Sequence, residues 1–226
     1  PRCCSSAASD VYKRQIQGFG NVGSWAALLL KERGCNIVAI SDISGGYYDE
    51  KGIDIGKAIQ YRNENKGTLE GFKEATKISN DELLKLEVDV LIPAALENAI
   101  TEKNVNSIKA KVIVEGANGP TSHEADSIIE KNGIIAVPDI LANAGGVIVS
   151  YFEWVQNRLG FKWTKSRVYR RSDSIIKQSF NNVYSISKKY KVSLRTAAYI
   201  AAIDKVSRTY KYRDGSFTFQ KNGQNT

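Results

Sequence analysis

A glycine-rich segment early in the chain reads Gly18-Phe19-Gly20-Asn21-Val22-Gly23 and matches the pattern G-x-G-x-x-G. In a turn from a strand into a helix, the first glycine permits the bend, the second lets a pyrophosphate approach the backbone, and the third lets the helix pack closely on the strand. The free N–H groups and the positive dipole end of that helix face the phosphates. The segment therefore predicts a dinucleotide site, and the alternative is a glycine-rich turn without a ligand.

The sequence on both sides of this motif has the periodicity that such a site requires. Residues 16–17 are a short predicted strand, and residues 21–33 are a predicted amphipathic helix. The apolar residues that make this helix amphipathic are Val22, Trp25, Ala26, Leu29 and Leu30. Because the motif lies between a strand and a helix, the dinucleotide interpretation is stronger than the glycines alone would make it.

An acidic residue follows the second predicted strand, residues 37–41. It is Asp42, which lies 19 positions beyond the last glycine of the motif. At this place a carboxylate accepts a hydrogen bond from a ribose 2′-hydroxyl. Because its charge repels a 2′-phosphate, Asp42 favours NAD over NADP. Ser41, Ser44 or Lys57 could still accommodate the phosphate, so both cofactors remain candidates.

Short apolar runs alternate with helix-length segments along most of the chain. The predicted strands are residues 16–17, 37–41, 88–92, 112–115 and 134–137, and the predicted helices between them are residues 21–33, 55–64, 81–86, 101–108 and 122–131. Further predicted helices are residues 146–158, 165–190 and 193–210. This order predicts the α/β class, a doubly wound Rossmann-type mostly parallel sheet followed by a C-terminal helical segment.

We divide the chain into four parts on this pattern. Residues 1–15 have no readable periodicity and are expected to be a non-native or disordered leader, residues 16–145 form a dinucleotide-binding domain, residues 146–213 form the helices that complete it, and residues 214–226 form a polar tail. The sequence contains no Met, which agrees with a fragment whose leader is foreign.

Composition excludes several classes of protein. The hydrophobic fraction of 42% suits a packed core, and three Cys among 226 residues cannot staple a fold. No run approaches the roughly 18–20 apolar residues of a membrane span, so we expect no membrane partner and a cytoplasmic location. The net charge of +8 is densest in residues 165–191, which we interpret as a solvated helix face rather than a nucleic-acid site. No spacing indicates a metal site.

Three later motifs are more specific than the glycine turn. They read Leu91-Ile92-Pro93-Ala94-Ala95-Leu96-Glu97-Asn98, Val114-Glu115-Gly116-Ala117-Asn118-Gly119-Pro120-Thr121 and Pro138-Asp139-Ile140-Leu141-Ala142-Asn143-Ala144-Gly145-Gly146-Val147, and Ser150-Tyr151-Phe152-Glu153-Trp154 follows. Together they resemble the glutamate dehydrogenase family, from about residue 16 to residue 214. The resemblance implies the carboxyl-terminal, NAD(P)-binding half of a hexameric enzyme that converts L-glutamate to 2-oxoglutarate and ammonium.

The resemblance also assigns roles to residues outside the glycine motif. The cofactor would pass the small residues Ala94 and Ala95, and its nicotinamide ribose and carboxamide would contact Asn118 and Asn143. Each Asn supplies a donor and an acceptor, although a turn is the commoner role of this residue type.

Two residues of the following helix would contact the substrate. By resemblance Val147 would touch its aliphatic chain, and Ser150 would bind its side-chain carboxylate. The alternative for Ser150 is a hydroxyl that bonds back to its own helix. Relatives that act on leucine, valine or phenylalanine need an apolar residue at this place, so Ser150 favours glutamate.

The lysine and the aspartate that carry out the chemistry in this family lie in an amino-terminal domain. Neither has a counterpart in this sequence, so we assign no catalytic residue here and expect the chain alone to lack deamination activity. The long helices after residue 165 would fold back on that domain. Two alternatives stay open: part of a branched-chain or aromatic amino-acid dehydrogenase, and a non-catalytic NAD-binding module.

Overall fold

One seven-stranded sheet organises residues 12–213, the part of the chain that the computed structural model describes. The strands are β1 (Lys13–Gln17), β2 (Asn36–Asp42), β3 (Gly45–Tyr48), β4 (Thr76–Ile78), β5 (Val90–Pro93), β6 (Val112–Val114) and β7 (Ile135–Val137). Their order across the sheet is β4-β3-β2-β1-β5-β6-β7. The five neighbouring strands β2, β1, β5, β6 and β7 are parallel to one another, whereas β3 pairs antiparallel with both β2 and β4.

Eight α-helices accompany the sheet in the described residues. They are α1 (Asn21–Glu32), α2 (Ile55–Glu64), α3 (Asn80–Leu84), α4 (His123–Lys131), α5 (Asp139–Ala142), α6 (Gly145–Leu159), α7 (Lys165–Tyr190) and α8 (Leu194–Arg213). The predicted fold class, a mostly parallel doubly wound sheet with a C-terminal helical segment, is therefore confirmed. None of these helices combines the length and the apolar content that a bilayer-spanning helix needs.

Apolar clusters cover both faces of the sheet. Leu91 and Ile92 are neighbours in β5, so their side chains point to opposite faces. Ile92 belongs to a buried cluster that includes residues of α1 and α2, whereas Leu91 belongs to one that includes residues of α3 and α4. A third cluster joins α7 and α8 and includes Val137 at the end of β7.

Two local predictions differ from the structure. The predicted helix at residues 101–108 is only a short 3-10 turn, Val105–Ser107. The side chain of Asn104 explains this, because it accepts from the backbone N–H of Thr101 at 2.8 Å and donates to the carbonyl of Ala99 at 2.9 Å. A side chain that satisfies backbone groups in this way competes with helical hydrogen bonds. The antiparallel strands β3 and β4 were not predicted, because each is short and β3 begins with two glycines.

Strand β1 begins at Lys13, ahead of the boundary predicted at residue 16. Residues 1–11 and 214–226 lie outside the described residues, so the predicted leader and tail lie mostly outside them as well. The polar residues 13–15 gave no apolar signal, yet they pair with the neighbouring strands. Gln15 is fully buried between Ala39 and Leu91, and neither polar atom of its side chain has a hydrogen-bond partner in the described chain.

Replacing this buried amide should stabilise the fold. An unsatisfied buried polar group costs about 1–3 kcal/mol, and an apolar side chain of similar shape removes that cost. We expect Gln15→Met to raise the free energy of unfolding by about 1–2 kcal/mol in chemical denaturation. Gln178→Met, at an exposed position of α7, is the control and should change it by less than about 0.5 kcal/mol. Destabilisation by Gln15→Met would show that the amide is satisfied.

Candidate functional site

Steric crowding surrounds the first and third glycines of the G-x-G-x-x-G turn. Gly18 has a φ of +95°, and a Cβ on it would lie 2.7 Å from the Cα of Ala95. A Cβ on Gly23 would lie 2.9 Å from the carbonyl carbon of Gly18 and overlap its oxygen. The Gly18 N–H also donates to the Oγ of Ser41 at 3.3 Å. These contacts hold α1 tightly against β1 and β5.

The second glycine has the opposite surroundings. Gly20 precedes α1 as its N-cap, is exposed, and has no heavy atom within 4 Å of where a Cβ would stand. No side chain caps the first turn of α1 in the described chain. Free N–H groups and the positive helix dipole therefore meet open space, which is the arrangement that binds a phosphate. The side chain of Phe19 is buried in the core, which leaves its backbone for any ligand.

A cleft of about 700 Å³ continues from this turn along the carboxyl ends of the parallel strands. Six residues that the sequence analysis assigned to the cofactor or the substrate line it, and they are Val22, Ala94, Ala95, Asn118, Asn143 and Val147. Gly116 also lines the cleft, and packing favours a small residue there, because a Cβ on Gly116 would lie 3.2 Å from the Cβ of Ala94. The cleft lies where open parallel sheets bind ligands. Val22, a residue of the glycine motif, is exposed and borders the cleft.

The two asparagines are brought together at this cleft. The Nδ2 of Asn143 donates to the Oδ1 of Asn118 at 2.6 Å and lies 3.4 Å from the carbonyl oxygen of Ala117. Asn118 is exposed and Asn143 is half-buried. The contact leaves the Nδ2 of Asn118 and the Oδ1 of Asn143 without a partner in the described chain, so one donor and one acceptor remain for a ligand.

Asp42 stands at the end of β2, as predicted, but its carboxylate is already engaged. Its Oδ1 accepts from the backbone N–H of Ser44 at 2.8 Å and from the Ser44 hydroxyl at 2.6 Å, and its Oδ2 accepts from the N–H of Leu69 at 2.6 Å. A carboxylate can accept about four hydrogen bonds, so capacity for one more remains.

The groups considered as partners of a 2′-phosphate are also engaged. Ser41 is buried and accepts from Gly18, and Ser44 donates to Asp42. Lys57 forms an exposed ion pair with Glu74 at 2.9 Å. The hydrogen bond and the charge of Glu74 raise the pKa of Lys57 above its ordinary value.

Val147 and Ser150 lie on α6, one turn apart, and both are exposed. The hydroxyl of Ser150 makes no hydrogen bond to another described residue. Elsewhere in the chain a helical serine does bond back, since the Ser185 hydroxyl donates to the carbonyl of Asn181 at 2.8 Å. The alternative that we considered for Ser150 is therefore not observed, and its hydroxyl is available.

An ion-pair network that we did not predict lies next to the two loops that carry these asparagines. Arg195, on α8, contacts Glu115 at 2.7 Å and also pairs with Asp126 and Asp139. Glu115 is completely buried. Burial alone would lower the pKa of Arg195, but hydrogen bonds and charges of Glu115 and Asp126 raise it above its ordinary value. Burial raises the pKa of Asp126, and Arg195 opposes that shift. One feature of the sequence points to this network, namely a glutamate at the end of an otherwise apolar predicted strand, residues 112–115.

Another cleft, of about 740 Å³, lies between α4, the end of α7 and the beginning of α8. None of the predicted site residues lines it. Within residues 12–213, no group of three or more His, Cys, Asp and Glu side chains is placed to hold a metal ion. The cleft at the carboxyl ends of the strands is thus the candidate site.

Comparison with known proteins extends over most of the chain. The family model of the glutamate/leucine/phenylalanine/valine dehydrogenases matches residues 5–214. A glutamate dehydrogenase of Thermotoga maritima is 52% identical over 199 residues, which are 88% of this chain and 48% of that protein. The cryptic catabolic NAD-specific glutamate dehydrogenase GudB of Bacillus subtilis is 44% identical over 198 residues, 88% of this chain and 46% of that protein. The chain thus spans about half the length of these curated relatives.

Solved structures show the same fold. The hetero-hexameric glutamate dehydrogenase of Thermus thermophilus superposes with a TM-score of 0.82 at 27% identity, over 89% of this chain and 47% of that one. The glutamate dehydrogenase of Peptoniphilus asaccharolyticus gives a TM-score of 0.75 at 35% identity, with coverages of 89% and 47%.

Proposed function

The chain belongs to the glutamate/leucine/phenylalanine/valine dehydrogenase family, and on that premise we propose that it is the cofactor-binding part of an NAD(P)-dependent glutamate dehydrogenase. The open space at Gly20 carries this proposal. Crowding at Gly18 and Gly23 explains why glycine is needed at those two positions for packing alone. It does not explain Gly20, where a side chain would meet nothing. A glycine at an exposed, uncapped helix N-terminus is accounted for by a phosphate that must approach the backbone.

The residues around the cleft fit a nicotinamide dinucleotide from end to end. The backbone of residues 18–23 would hold the pyrophosphate, and Asp42 the adenosine ribose. Ala94 and Ala95 leave room along the backbone, and Asn118 and Asn143 would hold the nicotinamide ribose and carboxamide. When bound, this cofactor supplies the hydride acceptor, while the chain orients it and limits the access of water.

NAD is the cofactor that the electrostatics favour. Asp42 places a negative charge at the end of β2, and the possible compensating groups are used within the chain: Ser41 by Gly18, Ser44 by Asp42 and Lys57 by Glu74. A 2′-phosphate would therefore meet an acid without a free cation among these residues.

Glutamate is the substrate that Ser150 favours in the whole protein. Its hydroxyl can donate to a carboxylate, and Val147 offers an apolar contact for the aliphatic chain. We assign the lysine and the aspartate that perform the deamination chemistry to an amino-terminal part of the family's enzymes. Ser150 and Val147 would form one wall of the cleft that faces that part.

We propose a hexamer located in the cytoplasm, with the helical segment packed toward the amino-terminal part. Apolar residues of α7 support the packing, because Phe180 and Tyr184, which lie four residues apart on one side of this helix, are 39% and 47% exposed. Exposed apolar side chains support a protein partner for this helix rather than nucleic acid.

A fluorescence titration of the purified chain with NADH and NADPH tests the proposal. We expect NADH to bind about tenfold more tightly than NADPH, as one unfavourable charge contact at the 2′-phosphate would give. Equal binding of the two would contradict the role of Asp42. Binding of neither would contradict the assignment of the cleft. Lys57→Met is the control, and it should leave both affinities unchanged because its ammonium pairs with Glu74.

A further inference from the structure

Glu115 is a fully buried carboxylate whose two oxygens both have partners. Its Oε1 accepts from the Thr121 hydroxyl at 2.6 Å and from Nη2 of Arg195 at 2.7 Å. Its Oε2 accepts from the backbone N–H of Asp139 at 2.8 Å. A buried charge with this many hydrogen bonds is fixed in one orientation, because any rotation would leave it unpaired in a medium of low dielectric.

These bonds join the two loops that carry the asparagines. Glu115 begins the loop that leads to Asn118, and Asp139 begins the short helix α5 that leads to Asn143. The bond from Asp139 N–H to Glu115 is matched by a second one in the opposite direction, because the Gly119 N–H donates to Oδ2 of Asp139 at 2.8 Å. The two loops are thus clamped on both sides of the contact between Asn143 and Asn118, which is 2.6 Å.

Arg195 supplies the positive charge that makes the clamp possible. It comes from α8, 80 positions away from Glu115, and its guanidinium is mostly buried between Glu115, Asp126 and Asp139. The planar guanidinium of arginine can donate to several carboxylates at once, whereas the ammonium of a lysine is a single point charge. The C-terminal helix therefore reaches the cofactor cleft without lining it.

We infer that Glu115, held by Arg195, is a positioning residue that sets the placement of Asn118 and Asn143 for the nicotinamide end of the cofactor. The inference rests on the proposed function, because it needs the cleft to bind a nicotinamide dinucleotide. It predicts a selective effect. The pyrophosphate would be held by the turn at residues 18–23, and the hydrogen bonds of the clamp do not involve that turn, so only the nicotinamide end should depend on Glu115.

Titration with NADH and with ADP, which keeps the adenosine and the pyrophosphate but lacks the nicotinamide and its ribose, separates these two ends. Glu115→Gln keeps the shape but cannot accept at both of its terminal atoms. We expect NADH to bind the variant about tenfold more weakly, the equivalent of roughly one hydrogen bond at the nicotinamide end. The affinity of ADP for the variant should stay within about twofold of its affinity for the unchanged chain, since the diphosphate of ADP binds at the turn.

Asp89→Asn is the matched control. Asp89 is also a mostly buried carboxylate, with Lys111 at 2.7 Å and the N–H of Lys13 at 2.9 Å, but it precedes β5 and so lies at the amino ends of the parallel strands, opposite the cleft. It should change neither affinity. If Glu115→Gln fails to fold by circular dichroism, Thr121→Val decides, because it removes a single bond to Oε1; we expect about a twofold to fivefold loss for NADH only.

Three results would overturn the inference. An unchanged NADH affinity in Glu115→Gln, or in Thr121→Val where that variant decides, would show that the asparagines do not depend on the clamp. An equal loss for both ligands would show a general structural role. Binding of neither ligand by the unchanged chain would instead refute the proposed function, and the inference with it.

Discussion

Gly23→Ala is expected to lower the free energy of unfolding by about 3 kcal/mol, a drop in Tm of roughly 6–12 °C for a chain of this size. The added Cβ would lie 2.9 Å from the carbonyl carbon of Gly18 and overlap its oxygen. Both atoms belong to the backbone, so no side-chain rotation relieves the overlap and α1 must move away from β1. Alanine also gains about 0.5–1 kcal/mol of helix propensity, which is too little to compensate. Thermal and chemical unfolding measure the difference.

Gly146→Ala is the matched control for this prediction. Gly146 also lies in the first turn of a helix, α6, but has nothing within 4 Å of where its Cβ would stand. There the propensity gain acts alone, and we expect a change between zero and about +1 kcal/mol. If Gly23→Ala were as stable as Gly146→Ala, the close packing of α1 on the strand turn would be wrong.

The contrast between these glycines shows what a local motif can predict. The pattern G-x-G-x-x-G, the strand before it and the helix after it gave the position of the turn correctly, because the demands on each glycine are local. The apolar residues of α1 did not indicate which side of the helix faces the sheet. Val22 and Trp25 are 54% and 62% exposed, whereas Gly23 and Ala27 are buried. The side of α1 that approaches the strand closely requires small residues. In this helix the large apolar side chains therefore do not mark the side that is buried.

Contacts between distant parts of the chain could not be predicted from the sequence. Arg195 was part of a polar helix start with no visible partner, and only the fold places it beside Glu115. The three hydrogen bonds to Asp42 are similar, since that to Leu69 joins residues 27 positions apart. Sequence patterns therefore predicted the five parallel strands and located the motif residues, whereas the interactions that fix the asparagines and the acidic residue depend on tertiary structure.

Gly20→Asp should separate stability from binding, because the two are expected to change in opposite directions. Aspartate is a favoured N-cap residue, and its charge suits the positive end of α1, so the free energy of unfolding should rise by up to about 1 kcal/mol. The same carboxylate would occupy the N–H groups and the space that a pyrophosphate needs. We expect NADH affinity to fall by about 100-fold or more, through charge repulsion and lost hydrogen bonds. Thermal unfolding and NADH titration measure the two effects.

The loss in Gly20→Asp should extend to ADP, because both NADH and ADP carry the pyrophosphate. In this it differs from the selective effect expected of Glu115→Gln. Gly20→Ala is the control for size, since its Cβ enters the same open space without a charge. We expect it to weaken both ligands about tenfold and to leave the Tm nearly unchanged. A stable Gly20→Asp variant that still binds NADH at the original affinity would contradict a phosphate at this helix terminus. The open space at Gly20 would then need another explanation, and with it the function proposed for the cleft.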